Sequence, residues 1–209
     1  MTVIPSGPIP FKGVFVLQKV FGKYLGAALV FLAFFILLSI GTAGSAQAYD
    51  AHPTILILDN ASLVSAGFPG SGTEADPFMI QNYEIDGAGG SAIKITNTDL
   101  HVKIQNCLLS GSLYDSAAIH LENVKNVTIE NNTFVGSYVG VGLLGSSNIV
   151  ILDNIFEGHN TGIVLDNSDN NVLFNNTCVL DIAEPTGRVG IQLISSDHNR
   201  LEENNCSGN

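Results

Sequence analysis

Tryptophan is absent from the 209 residues, and positive charge is scarce: eight Lys and Arg stand against nineteen Asp and Glu, a formal net charge of −11. The imbalance is steeper along the chain than in total. Lys12, Lys19 and Lys23 all precede Asp50, so the chain from Tyr49 onward holds five basic residues against all nineteen acidic ones, a balance of −14. Such a surface repels nucleic acid and anionic lipid, so nucleic acid is excluded from the expected partners. Cysteine is sparse too. Cys107, Cys178 and Cys206 allow at most one intrachain disulfide, and their spacing fits neither a zinc ligand set nor a Cys-x-x-Cys redox pair. Beyond residue 48, no segment is both long and periodic enough at 3.6 residues to read as a helix.

Long apolar runs are missing with one exception. Residues 25–40 (LGAALVFLAFFILLSI) follow the three lysines, and Ala46-Gln47-Ala48 is a small-x-small site of the kind signal peptidase cuts. Residues 1–48 therefore read as a signal peptide or a retained signal-anchor helix, with the membrane touched only there. Residues 49 onward are expected outside the cytoplasm, extracellular or periplasmic, since the lysines lie on the N-terminal side. Residues 49–78 read as an N-terminal cap and lead-in, and 79–209 as repeats.

What is abundant is asparagine, glycine and a recurring apolar-x-Asn unit. It appears at Ile80-Gln81-Asn82, Ile104-Gln105-Asn106, Ile129-Glu130-Asn131, Ile151-Leu152-Asp153, Leu173-Phe174-Asn175 and Leu201-Glu202-Glu203, at intervals of 24, 25, 22, 22 and 28 residues. Five residues after each first position stands Ile85, Leu109, Phe134, Phe156, Cys178 or Cys206, and two further on Gly87, Gly111, Gly136, Gly158, Leu180 or Gly208. A second unit lies between: Ala92-Ile93-Lys94-Ile95, Ala118-Ile119-His120-Leu121, Gly140-Val141-Gly142-Leu143, Gly162-Ile163-Val164-Leu165 and Gly190-Ile191-Gln192-Leu193. The alternation is that of short strands with one buried face. A period of 22–28 residues suits one rung of a solenoid in which each strand pairs with its equivalent in the next rung. The fold class is therefore all-β, a right-handed parallel β-helix of about six coils. Asn132, Asn154, Asn176 and Asn204 form one column directly after a strand, with Cys107 in the same place. Asparagine tolerates the left-handed backbone of a sharp bend, and stacked amides are expected to hydrogen-bond as a ladder. Of the Asn-x-Ser/Thr sequons, Asn60 and Asn126 are the more plausible glycan sites.

The chain resembles the parallel β-helix repeat proteins of the pectin-lyase-like superfamily, and within it the exported NosD-type repeat proteins. The resemblance covers about residues 54–209. It is most specific at Gly70-Ser71-Gly72-Thr73-Glu74-Ala75-Asp76-Pro77-Phe78-Met79-Ile80, running into Tyr83-Glu84-Ile85-Asp86-Gly87, with residues 54–66 (TILILDNASLVSA) capping the first rung. The superfamily implies the fold and spans polysaccharide lyases and hydrolases, adhesins and surface-layer proteins, so fold alone does not select an activity. The NosD name implies copper delivery. Past the export segment, however, the chain has Met79 and five scattered histidines (His52, His101, His120, His159, His198), with no His-x-His or Met-rich cluster.

No hydrolase motif assembles. Asn97-Thr98-Asp99 reads as the turn after the Ile93–Ile95 strand, Gly158-His159-Asn160 lacks the third glycine of a Gly-His-Gly motif, and neither an Asp-Asp pair nor Arg-x-Lys occurs. One outward column reads Thr96, Glu122, Leu144, Asp166, Ile194. It places Glu122 and Asp166 two rungs apart, roughly 9.6 Å by strand spacing, with His120 beside Glu122. They are the candidate catalytic residues, at the wide end of an inverting carboxylate pair. Leu144 between them favours two solvated carboxylates instead. A lyase would need clustered aspartates for calcium, and no motif supplies them. No cofactor is expected, and Asp166 and Asp169 have only Arg188 as a basic residue at a comparable place. Outward Val164, Leu144, Ile194, Leu152 and Phe174 form an apolar face for loops or a partner. Cys178 and Cys206 fall in one inward column on consecutive rungs, as a disulfide or as free thiols. Three functions follow: a non-catalytic surface module for carbohydrate or cell-surface proteins, a polysaccharide hydrolase or lyase, or a metal-delivery accessory. A sixth rung without a cap would leave a C-terminal strand edge open to self-association.

Overall fold

The computed structural model describes residues 48–113, 116–179 and 187–207. The export segment expected over 1–48 lies outside them but for Ala48, as do Leu180 and Gly208 of the repeat column.

The chain winds as a right-handed parallel β-solenoid of three six-stranded sheets. Sheet I comprises β1 (Asp50–Ala51), β4 (Tyr83–Gly89), β7 (Leu108–Ser112), β10 (Thr133–Val135), β13 (Ile155–Glu157) and β16 (Thr177–Val179). Sheet II comprises β2 (Ile55–Ile57), β5 (Ile93–Thr98), β8 (Ala117–Val124), β11 (Val139–Leu144), β14 (Thr161–Asp166) and β17 (Val189–Ile194). Sheet III comprises β3 (Phe78–Gln81), β6 (Val102–Gln105), β9 (Val127–Glu130), β12 (Val150–Leu152), β15 (Val172–Phe174) and β18 (Arg200–Glu202). Each coil runs sheet III, I, II. Five coils are complete, β3–β4–β5 to β15–β16–β17, with β1 and β2 ahead of them and β18 after. The expected six coils are thus five, flanked by partial ones.

The register follows the repeat columns residue for residue. Ile80, Ile104, Ile129, Ile151, Leu173 and Leu201 pair in sequence on sheet III. Ile85, Leu109, Phe134, Phe156 and Cys178 do so on sheet I, where the Phe134 and Phe156 rings stack at 4.5 Å. All of these but Leu201 are buried. A one-residue slip would turn every inward side chain outward, and that fixes the register.

The left-handed bends fall one residue earlier than expected. Asn131, Asp153, Asn175 and Glu203 carry φ of 53°, 56°, 51° and 56°, while Asn132, Asn154 and Asn176 turn their side chains inward and are buried. Two further columns, Asn97/Asn123/Asn167 and Asn126/Asn148/Asn170, also adopt positive φ. Asparagine thus serves two roles in adjacent positions: left-handed backbone at the bend, and an inward amide just after it. Asn132 Oδ1 accepts from the Cys107 amide (2.9 Å), Asn154 Oδ1 from Asn132 (2.9 Å), Asn176 Oδ1 from Asn154 (3.2 Å) and Asn204 Oδ1 from Asn176 (3.0 Å). Ser146, Ser168 and Ser196 form a second run of the same kind, and Asn171 and Asn199 a third. These side chains satisfy amides that the tight turns would otherwise bury without partners.

One helix appears where none was expected: α1 (Asn60–Ser65). Its start is a capping box in which Asp59 accepts from the Ser62 amide (2.7 Å) and Ser62 Oγ from the Asp59 amide (3.0 Å). Hydrogen bonding from the Ser62 amide, and then from its side chain, lowers the pKa of the Asp59 carboxyl. Leu63 is the helix's buried residue. Asn60, one of the two favoured sequons, donates to Asp99 (2.9 Å), and Asn126, the other, donates to the Asp99 carbonyl (2.8 Å), so both side chains tie turns together.

Candidate functional site

The outer face of sheet II carries the candidate residues. In a strand, alternate side chains leave opposite faces. Between the inward Ile93/Ile119/Val141/Ile163 and Ile95/Leu121/Leu143/Leu165 columns therefore runs an outward column of Leu56, Lys94, His120, Gly142, Val164 and Gln192. Beside it lies the column Thr96, Glu122, Leu144, Asp166, Ile194. Gly142 pairs with His120 on the next rung and adds no side chain to this face.

Three groups converge there. Lys94 Nζ lies 3.8 Å and His120 Nε2 3.6 Å from Glu122 Oε2. His120 is half-buried, and its pKa is lowered, first by burial and then by the Lys94 charge. At neutral pH it is thus a neutral imidazole, and the Lys94–Glu122 contact is the only ion pair of the three groups. Lys94, about two-fifths exposed, was missing from the sequence-based candidates. The signal was present: it occupies the same place in its repeat as His120. A cleft of about 350 Å³ opens over Lys94 and His120, lined also by Thr54, Leu56, Ser91 and Ser116.

Glu122 and Asp166 keep the two-rung separation expected of them. Both pair in register with Leu144 from opposite sides, leaving two strand spacings, roughly 9.6 Å, between their backbones. Leu144 is 38% exposed between them, and Asp166 accepts a hydrogen bond from Asn167 Nδ2 (2.7 Å). A proton donor and a base acting on one bond would have to share that interval, and its centre is a leucine. Asp169 instead accepts from the Asp197 amide (2.6 Å), and Arg188 donates to the His159 carbonyl (3.1 Å).

The two motif fragments are structural. Asn97 is a left-handed turn residue, and Thr98 donates its hydroxyl proton to Asn60. His159 is fully buried against the edges of Phe134 and Phe156. Its Nδ1 lies 3.2 Å from the Ser137 amide nitrogen and 2.8 Å from the Ser137 carbonyl oxygen, and Nε2 makes no hydrogen bond among the described residues. Burial lowers its pKa.

Residues 57–209 match the family described as "Periplasmic copper-binding protein (NosD)". The chain belongs to this family. Membership agrees with a place outside the cytoplasm. Among solved structures, the chain is similar to the crystal structure of an alginate lyase from Paenibacillus sp. str. FPU-7, at 17% identity and a TM-score of 0.52. That likeness covers 73% of this chain but 65% of the lyase, and it is a likeness of fold. No curated protein matches the chain.

The donor set was tested against the copper of the family description. Among the described residues, no group of three or more His, Cys, Asp or Glu side chains could hold a metal ion. His52 stacks on Tyr83 at 4.4 Å, His120 sits on sheet II, His159 is interior and His198 is a left-handed turn residue. The described residues do not fit a copper centre of three or more ligands.

Proposed function

We propose that this NosD-family protein is a non-catalytic β-helix module outside the cytoplasm, binding neutral glycan chains along the outer face of sheet II. The observation that carries this reading is the Lys94–His120–Glu122 cleft. Hydroxyls of Thr54, Ser91 and Ser116, an ammonium and a neutral imidazole line one concave site of about 350 Å³, with the Glu122 carboxylate against Lys94 and His120 at its margin. Mixed donors and acceptors around a shallow apolar floor are what a sugar's hydroxyls and C–H faces need. The surplus of carboxylates argues against polyuronates, which this surface would repel. The leucine between Glu122 and Asp166 argues against bond cleavage there.

Affinity electrophoresis against neutral and acidic polysaccharides tests the reading. Neutral glycans are expected to retard the protein and polyuronates to leave its mobility unchanged. His120→Ala should weaken binding roughly fivefold, the worth of one net hydrogen bond. Retardation by no neutral glycan would overturn the binding role. Release of reducing ends or unsaturated uronides, lost in Glu122→Gln or Asp166→Asn, would overturn the non-catalytic one.

A further inference from the structure

The last complete coil and the partial one after it hold two thiols that the glycan reading does not use. Cys178 continues the inward column of Phe134 and Phe156 and is buried. Thr177 pairs with Asn205, and the Cys178 amide donates to the Asn205 carbonyl (2.8 Å), so Cys206 lies on the next rung in register with Cys178. Burial first, and then the neighbouring Cys206, raises the Cys178 thiol's pKa. Parallel strands stand about 4.8 Å apart, inside the roughly 4.4–6.8 Å Cα range that disulfides span. Glycine 162 leaves the room this requires, since a Cβ there would meet Cys178 Sγ at 2.7 Å. The pair is also reachable from one side. Cys206 is half-buried and lines an open cleft with Arg188, Val189, Leu201 and Glu203. Cys107 is the contrast. It is buried in the asparagine column, its thiol pushed up to about 11 chiefly by burial, with its sulfur against the Gln105 carbonyl (3.3 Å) and neither other cysteine on an adjoining rung of its column.

We infer that Cys178 and Cys206 form an oxidisable latch that ties the last rung to the coil before it. The oxidant is an external disulfide, either a small molecule or a thiol–disulfide oxidoreductase, as compartments outside the cytoplasm supply. Cys206, as thiolate, attacks one sulfur of that disulfide and expels the other as a thiolate, leaving a mixed disulfide on Cys206. Cys178 loses its proton and attacks Cys206 Sγ, which expels the second thiolate. Two electrons and two protons pass to the oxidant, one S–S bond breaks and one forms, and the oxidant leaves as two thiols. The latch closes a loop of residues 178–206 and removes the freedom of the last rung to fray.

Thiol counting on the full chain in denaturant tests the inference, after equilibration with oxidised and then reduced glutathione. One titratable thiol is expected in the oxidised protein and three in the reduced, with peptide mapping joining the segments bearing 178 and 206. Reduction should lower the thermal midpoint of the wild-type chain and leave that of Cys206→Ser unchanged. Three free thiols after oxidation, a link that includes Cys107, or a midpoint equally sensitive to reduction in Cys206→Ser would each overturn it.

Discussion

Leu165 and Leu193 occupy the same column of sheet II, paired in register one rung apart, yet Leu165 is fully buried and Leu193 is 40% exposed. Leu173 and Leu201 repeat the contrast on sheet III, at 0% and 42%. The side chains are identical, and only the neighbouring rungs differ. In a solenoid an inward apolar residue is covered partly by its own coil and partly by those above and below, so the core arises from stacking rather than from any one repeat. The amide ladder obeys the same rule. Asn154 makes contacts both ways, donating to the Ile129 and Leu152 carbonyls and to Asn176 while accepting from Asn132, whereas Asn204 is partly exposed.

The largest expected effect sharpens this contrast in the apolar core. Phe156→Ala removes a fully buried ring that stacks on Phe134, and should cost about 3–5 kcal/mol. Leu201→Ala, at a side chain already 42% exposed, should cost less than about 1 kcal/mol. Urea unfolding followed by circular dichroism measures both. Equal losses would mean that the last rung is covered as fully as the middle ones.

The next effect tests the ladder. Asn154→Ala strands the buried Asn132 amide and the Ile129 carbonyl, and should cost about 1–3 kcal/mol. Asn204→Ala exposes the equivalent groups closer to water and should cost less in the same assay. A larger loss at Asn204 would reverse the comparison.

These contrasts also explain what could be read from sequence. The inward columns were legible because apolar periodicity must match the pleat in every coil, and one register satisfies all of them. The asparagines were legible as a type and only partly in role. The ladder of Asn132 was legible, but both Asn131 and Asn132 suit a bend, and only the structure assigns the positive φ to the first. α1 was missed because a six-residue helix has no periodicity to display, although Asp59 and Ser62 carried its capping signal. The outward site was least legible. Outward positions need not repeat, so the shared place of Lys94 and His120 in the repeat gained meaning only when both were found against Glu122.

His159 offers the smallest and most specific test, because it interrupts a serine column. The Ser112 amide donates to Ser137 Oγ, and one rung on His159 Nδ1 stands between the Ser137 amide nitrogen (3.2 Å) and the Ser137 carbonyl oxygen (2.8 Å). Burial is the largest influence on the ring and opposes its charge, against a smaller opposite pull from its hydrogen bonding to the Ser137 backbone. The folded-state pKa therefore lies below the unfolded value near 6.5. Between those two values the unfolded chain binds more protons, so this stabilisation is complete above about pH 6.5 and declines as pH falls beneath it. His159→Asn keeps an acceptor without the titration, and should flatten the thermal midpoint below that pH while leaving the midpoint near pH 8 lower by the loss of ring packing. His120, half-buried and with the same direction of shift, should contribute a weaker slope that His120→Gln removes. If His159→Asn kept the whole acid slope, the pH dependence would belong to the outer face of sheet II rather than to the interior column.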